Sequence, residues 1–283
     1  LPAGADEAQE YYDSHTHLTN YVQEGLTARQ YLAAVGDRVG RSALFGIPLQ
    51  MHWSDRVTGK VAPTYYLDSD TALYYYSFTD AYIAEQYRKL SPAQQARFEP
   101  MITGFNPADM YAADHIRRVL QTYPGVFTGI GEFSIHKEFV SAKVSGDVAS
   151  LIDPAVDRIF DFTAESGLLS ILHSDIHMPF VKPEFRRLYF DQAVALFRRH
   201  PNSTIIWAHT GLGRVVQPVS DHLAMLEEIL ADPGLKHVYF DISWDEVAKY
   251  AVSSPAAIDR LSQLLNAHPD RFLFGTDNVA PDE

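Results

Sequence analysis

Two histidines near the start of the chain, His15 and His17, are separated by one residue in the stretch "YYDSHTHLTN". Successive side chains of a β-strand point to opposite faces, so these two point the same way, about 7 Å apart along the strand. Two imidazoles on one face can bind one divalent metal ion. An isolated pair with this spacing is more often a polar strand edge than a metal site. Its meaning therefore depends on which other side chains can reach it.

Further potential ligands stand at the ends of other predicted strands. Eight short segments rich in β-branched and aromatic residues predict strands. They are Tyr11–His17, Ala43–Gln50, Phe98–Phe105, Val126–Phe133, Leu169–His173, Thr204–His209, His237–Ile242 and Phe272–Gly275. Besides the two histidines, Glu132, His173, His209 and Asp277 lie at or near strand ends. Six such residues at five strand ends predict one metal centre.

Strands that alternate with amphipathic segments predict a parallel sheet. The helical segments are Ala112–Thr122, Pro154–Ser166, Phe190–Arg199, Asp221–Leu230 and Pro255–Ala267. Eight repeats favour a closed (β/α)8 barrel of the TIM type, whose chemistry lies at the carboxyl ends of the strands. We expect one domain over residues 1–283, with an aromatic-rich insertion after strand 2 at about 51–90, helical from Thr71 to Lys89. An eighth helix is missing after Asp277, which we interpret as truncation.

Composition excludes several kinds of partner and site. The net charge of −13 argues against nucleic acid as a partner, and no apolar run is long enough to span a membrane. The absence of cysteine excludes disulfides, thiolate metal sites and cysteine nucleophiles. The first residues, "LPAGADEAQE", lack the features of a signal peptide. We interpret them as the mature end of an exported protein or as a sequence boundary, which favours a periplasmic over a cytoplasmic location.

A site built from His, Asp and Glu offers only nitrogen and oxygen ligands. Zn2+ fits this set, and Mn2+, Fe2+ or Ni2+ fit it less specifically. Other roles are open for each residue: Glu132 could pair with a basic side chain, His173 and His209 could be hydrogen-bonded core residues, and Asp277 could cap a helix. Their shared position at strand ends favours the metal centre, with one or two ions.

Five motifs carry a family resemblance along the whole chain. The motifs "DSHTHL", "GIGEFS", "SILHSD", "IIWAHTGLGR" and "FLFGTDN" resemble, in order, the metal motifs of the amidohydrolase superfamily. "GIGEFSIHKE" with "LHSD" is similar to the TatD-like hydrolases, and "AHTGLGR" with "LFGTDN" to the amidohydrolase-related group of lactonases, amidases and decarboxylases.

The resemblance implies roles for the six residues. His15, His17 and Asp277 would hold one metal ion, and Glu132 would bridge to a second ion held by His173 and His209. With a single ion, His173 would join the first set and His209 would polarise the substrate. Asp277 would also move the proton of the attacking water.

Residues near the predicted mouth are candidates for substrate contact. They are Trp53, Lys137, His177 and Arg214, of which the two basic residues could hold a substrate carboxylate or phosphate. Asp241 and Trp244 could line the pocket, or Asp241 could cap the following helix. The histidines in helices or at strand starts are assigned no role.

The leading hypothesis is a metal-dependent hydrolase that acts on a small amide, lactone, ester or phosphoester substrate. The alternatives are a metal-dependent decarboxylase of the same superfamily and a catalytically silent barrel that binds a ligand. The expected partner is a small molecule, and a homo-oligomer is possible.

Overall fold

The computed structural model describes residues 11–20, 24–47, 52–53, 67–68, 78–137, 150–178, 182–213 and 221–279. For 52–53 and 67–68 it describes the backbone alone. The predicted insertion therefore lies largely outside the described residues.

A parallel sheet forms the centre of the molecule. Its strands are β1 (Tyr11–His17), β2 (Val39–Phe45), β5 (Phe98–Ile102), β6 (Gly129–Ser134), β7 (Leu169–His173), β8 (Thr204–Trp207), β9 (Val238–Asp241), β10 (Phe272–Leu273) and β11 (Asn278–Val279). Their order is β10-β9-β8-β7-β6-β5-β2-β1-β11. Two short segments, β3 (His52–Trp53) and β4 (Leu67–Asp68), pair separately.

The two edges of this sheet belong to one stretch of chain. β10 pairs with β9, and β11, which follows β10 within a few residues, pairs with β1. Between them, the amide of Ser14 donates to the carbonyl of Phe274 over 2.9 Å, and the amide of Asp277 donates to the carbonyl of His15 over 2.8 Å. β10 and β11 thus act as one eighth strand that closes the sheet. The prediction of an α/β TIM barrel is confirmed.

Helices cover the outside of the barrel. They are α1 (Ala28–Val35), α2 (Phe78–Arg88), α3 (Pro92–Gln95), α4 (Ala112–Thr122), α5 (Pro154–Ser166), α6 (Leu188–Arg199), α7 (His222–Ala231), α8 (Asp245–Ala251) and α9 (Pro255–Ala267). The five predicted helices are present with ends that differ by at most two residues. The sequence prediction missed α1, although a capping box joins Thr27 to Gln30 at its start.

Several predicted strand bounds were wrong, and those of the second strand differ most. The second strand begins at Val39 and ends at Phe45, earlier than the predicted Ala43–Gln50. Helix α2, within the predicted insertion, is an ordinary barrel helix, because its Ile83 and Ala84 are fully buried in the core. The carboxyl end of the 51–90 segment is therefore part of the fold.

The core has two parts. The larger one lies between the sheet and the helices and is built from aliphatic and aromatic side chains such as Ile116, Phe160 and Trp207. The smaller one fills the barrel interior with Phe45, Met101 and four neighbours. This interior packing makes the barrel a solid support below the carboxyl ends of its strands. Among the described helices, none has the length and apolar character needed to cross a lipid bilayer.

Candidate metal centre

The six predicted ligands lie together at the carboxyl end of the barrel. His15 and His17 come from β1, Glu132 from β6 and His173 from the end of β7, and His209 and Asp277 lie in the segments after β8 and β10. Five of these residues are at most 7% exposed, and the side chain of Asp277 is 11% exposed. Polar side chains buried this deeply need partners, since an unpaired buried charge is costly.

His15, His17 and Asp277 form one group of converging atoms. Asp277 Oδ1 lies 3.2 Å from His15 Nε2 and 3.1 Å from His17 Nε2. The period-two alternation of β1 places both imidazoles on the inner face of the barrel. The group therefore offers two nitrogens and one carboxylate oxygen around one point.

Glu132 lies between this group and a second one. Its Oε2 is 4.0 Å from His15 Nε2 and 3.7 Å from His17 Nε2. Its Oε1 is 2.5 Å from His173 Nδ1 and 3.4 Å from His209 Nε2. The two oxygens of one carboxylate thus face two different pairs of histidines.

Two residues at the carboxyl end of β9, Asp241 in the strand and Ser243 just after it, support the histidines from behind. His15 Nδ1 donates to Asp241 Oδ2 over 2.7 Å, and the amide of Ser243 donates to Asp241 Oδ1 over 2.6 Å. Ser243 Oγ lies 2.9 Å from His209 Nδ1. These contacts occupy the Nδ1 atoms and leave both Nε2 atoms facing the centre. Helix α8 starts without a side-chain cap, so the alternative in which Asp241 caps it is wrong.

The backbone around the centre is strained. Among the described residues, five that are not glycine have positive φ, and all of them follow a strand of the barrel: His136 (56°), His209 (55°), Thr210 (55°), Trp244 (79°) and Asp277 (54°). Each such conformation costs on the order of 1–3 kcal/mol and persists only where the surrounding structure enforces it. Here the strain orients two of the six candidate ligands.

The charges of the centre reinforce one another. Burial alone would raise the pKa of Asp277, but the nearby His15 holds it well below its usual value. Burial is likewise outweighed at Glu132, whose pKa is held well below its usual value by Lys137 and the neighbouring histidines. Burial would lower the pKa of His15, yet Asp241 and Asp277 raise it well above its usual value. Both carboxylates are therefore in the charged form that binds a cation.

The donor set fits a divalent metal ion. His15 Nε2 is fully buried, lies among carboxylate oxygens and makes no hydrogen bond of acceptable geometry with a described residue. Three sets of three residues each have potential ligand atoms within 4.8 Å of one another. They are His15–His17–Glu132, His15–His209–Asp241 and Glu132–His173–His209. In the second set, Asp241 accepts a hydrogen bond from His15 Nδ1 and so orients the His15 ring instead of facing the centre itself. The other two sets share Glu132 and match the arrangement around it.

Of the four predicted substrate contacts, the structure describes the side chains of Lys137 and His177. The half-buried Lys137 lies at the mouth, with its Nζ 5.5 Å from the ring centroid of Trp244, and that ring is 4.9 Å from the ring of His209. His177 is held by a 2.6 Å hydrogen bond from its Nδ1 to a backbone carbonyl in the segment before α6. The side chain of Trp53 and the whole of Arg214 lie outside the described residues.

The sequence matches the family model Amidohydrolase over residues 12–283. The chain belongs to the amidohydrolase family. The predicted metal-dependent hydrolase is thereby confirmed at the level of the family. Divalent metal ions are the usual cofactors of amidohydrolases, and the described residues of this one include the groups that could hold them. A comparison with curated proteins gives no match.

Solved structures share the fold of this amidohydrolase at low sequence identity. A dihydroorotase from Campylobacter jejuni is 12% identical with a TM-score of 0.52, covering 95% of this chain and 69% of its own. A probable 2-pyrone-4,6-dicarboxylic acid hydrolase from Acinetobacter baumannii is 11% identical with a TM-score of 0.54, covering 96% and 85%. A protein named amidohydrolase 2 from Bifidobacterium longum subsp. infantis is 14% identical with a TM-score of 0.50, covering 94% and 83%.

Proposed function

We propose that this amidohydrolase cleaves a small amide, lactone, ester or phosphoester substrate with water. The observation that carries the proposal is the position of Glu132, whose two oxygens face two separate pairs of histidines. His15, His17 and Asp277 would hold one divalent ion, and His173 and His209 a second, with Glu132 between them. A divalent cation bound there supplies Lewis acidity toward water and toward a substrate oxygen.

Asp277 is the residue that moves the proton. Its Oδ1 faces His15 and His17, whereas its Oδ2 lies 4.0 Å from His209 Nε2. One carboxylate oxygen can therefore bind a cation while the other accepts a proton from water and returns it to the leaving group. The low pKa of Asp277 keeps the carboxylate ionised, which is the form that binds a cation.

Lys137 favours a substrate that carries an anionic group. Its ammonium lies at the mouth, over Trp244, and close enough to Glu132 to lower the pKa of that carboxyl. A cation at the entrance can orient a substrate carboxylate or phosphate relative to the histidines below. We expect Lys137→Gln to lower kcat/KM about tenfold for an anionic substrate and little for its neutral analogue. Equal losses for both substrates would contradict this role, and Lys182→Gln at an exposed position is the control.

Glu132 also separates hydrolysis from decarboxylation on the same scaffold. A bridging carboxylate supports two ions, whereas the resemblance to the decarboxylases implies one ion without this residue. The test is to measure metal content per chain together with turnover of amide, lactone, ester and phosphoester panels. We expect close to two ions and hydrolysis, both lost in His15→Ala/His17→Ala. Full hydrolysis by the double variant without bound metal would overturn the proposal.

A further inference from the structure

A cavity of about 340 Å3 lies outside the barrel, behind the metal centre. Helices α7, α8 and α9 enclose it together with the segments that follow β8 and β9. None of the six candidate ligands lines it. Its volume is at the lower end of the range of small-molecule pockets. The cavity is therefore a space separate from the site where the proposed reaction takes place.

The wall of this cavity is largely apolar, with one charged residue at its rim. Leu226, Ile242, Ala257 and other aliphatic side chains form most of the surface. Arg260, an exposed residue of α9, is the one charged side chain among the described residues that line it. An apolar pocket with a guanidinium at the edge is complementary to a hydrocarbon chain that ends in an anionic group.

A neutral histidine supplies a polar contact inside the cavity. His222 Nε2 donates to the carbonyl of Thr210 over 2.9 Å, which leaves its Nδ1 as an acceptor. Burial lowers the pKa of His222 to about 4, so its ring is uncharged at neutral pH. The inner part of the cavity thus carries no charge, and the anionic group of a ligand must lie at Arg260.

The cavity touches the backbone that carries the metal centre. Thr210 directly follows His209, and both residues have positive φ. Ile242 separates Asp241, which bonds His15, from Ser243, which contacts His209. A ligand in the cavity would contact Thr210 and Ile242, which line it. Its binding can therefore change the position of His209 and the affinity for metal.

We propose that this cavity is a second ligand site, which binds a small amphipathic carboxylate and is coupled to the metal centre. The hydrocarbon part would lie against Leu226 and Ile242, and the carboxylate would pair with Arg260. The binding part of this inference does not depend on the proposed reaction, because it concerns residues outside the centre. The coupling part depends only on metal binding.

Titration calorimetry with octanoate and 1-octanol tests the site. We expect octanoate to bind the wild-type protein, and Arg260→Gln to weaken that binding roughly tenfold while 1-octanol binding stays unchanged. Ala257→Trp fills the cavity from a largely exposed helix and should abolish binding of both probes. Ile258→Trp, on the exposed face of the same helix, is the matched control and should bind both normally.

Either of two kinds of result would overturn the site. The first is absence of octanoate binding to the wild-type protein, or normal binding by Ala257→Trp. The second is loss of octanoate binding in His17→Asn, which would assign the carboxylate to the metal centre. For the coupling, zinc affinity measured by chelator competition should change by about fivefold or more when octanoate is present. An unchanged zinc affinity would overturn the coupling.

Discussion

At the scale of single residues, the centre depends on side chains that no local pattern identifies. The spacing of His15 and His17 predicts their shared face because strand periodicity is local. The role of Asp241 depends on a contact with His15 across 226 positions of sequence and between strands that are not neighbours in the sheet. The sequence shows only an aspartate at a strand end, which is also a common helix cap. Such supporting residues are therefore the part of a site that one sequence predicts least well.

Asp241→Asn provides a prediction at this scale. The amide keeps the size of the side chain but removes the charge that fixes His15 Nδ1 as a donor, so His15 Nε2 is no longer held ready for a cation. We expect zinc affinity to fall about 10- to 100-fold. Zinc titration against a competing chelator measures this. Asp259→Asn, at an exposed position of α9, is the matched control, and equal affinities of the two variants would contradict the supporting role.

At the scale of elements, barrel closure depends on Asp13 as well as on strand pairing. Asp13 is 3% exposed, and its carboxylate accepts hydrogen bonds from the amide and the hydroxyl of Thr276, over 2.9 and 2.7 Å. It also accepts the amide of His15 over 3.1 Å. The eighth strand is short and split, so these bonds supply part of the connection that a continuous strand would make. The sequence predicts the strand, but it does not predict the hydrogen bonds from Thr276 to Asp13 that supplement strand pairing.

We therefore expect Asp13→Ala to lower the free energy of unfolding by about 2–4 kcal/mol, because it leaves the buried amide of His15 and the half-buried amide and hydroxyl of Thr276 without their acceptor. Urea unfolding followed by circular dichroism measures the loss. Asp37→Ala removes an exposed carboxylate and should cost little. A similar, small loss in both variants would show that Asp13 does not contribute to closure.

A buried carboxyl group near the start of α2 makes the stability of the fold depend on pH. Asp80 is 1% exposed, and its carboxylate accepts the amides of Thr103 and Gly104 after β5. Burial raises its pKa to about 7, although these amides oppose the shift. Between the unfolded value of 3.8 and 7, the folded state binds more protons at this site than the unfolded state. The contribution of Asp80 to stability therefore decreases as the pH rises through this window.

Asp80→Asn removes this titration. Relative to the wild-type protein, the variant should gain roughly 2–3 kcal/mol of unfolding free energy between pH 5 and pH 8. Any loss of hydrogen bonding that does not depend on pH cancels in this difference. Asp109→Asn is the control, since Asp109 also accepts a backbone amide but is exposed. Parallel pH profiles for wild type and Asp80→Asn would exclude a raised pKa at this position.

At the scale of the whole molecule, the candidate metal centre takes its residues from strands on all sides of the barrel. Its six candidate ligands come from the ends of β1, β6, β7, β8 and β10, which together span the sheet from one side of the closure to the other. A cation bound by all of them would be lost on any unfolding that separates these strands. Metal binding should therefore stabilise the entire fold. At a free zinc concentration 100 times the dissociation constant, the gain is about 2.7 kcal/mol.

Differential scanning calorimetry with and without zinc tests this connection. For a chain of this size we expect the wild-type melting temperature to rise by about 5 °C and to return to its initial value after chelation. His15→Ala/His17→Ala should show no rise relative to its own metal-free form, which removes the cost of the substitutions from the comparison. His268→Ala, at the carboxyl end of α9 and outside the candidate metal groups, should respond as the wild type does. If zinc raised the melting temperature of the double variant as much as that of the wild type, zinc would stabilise the protein from another site. The strand ends would then not be linked through a metal ion at these histidines.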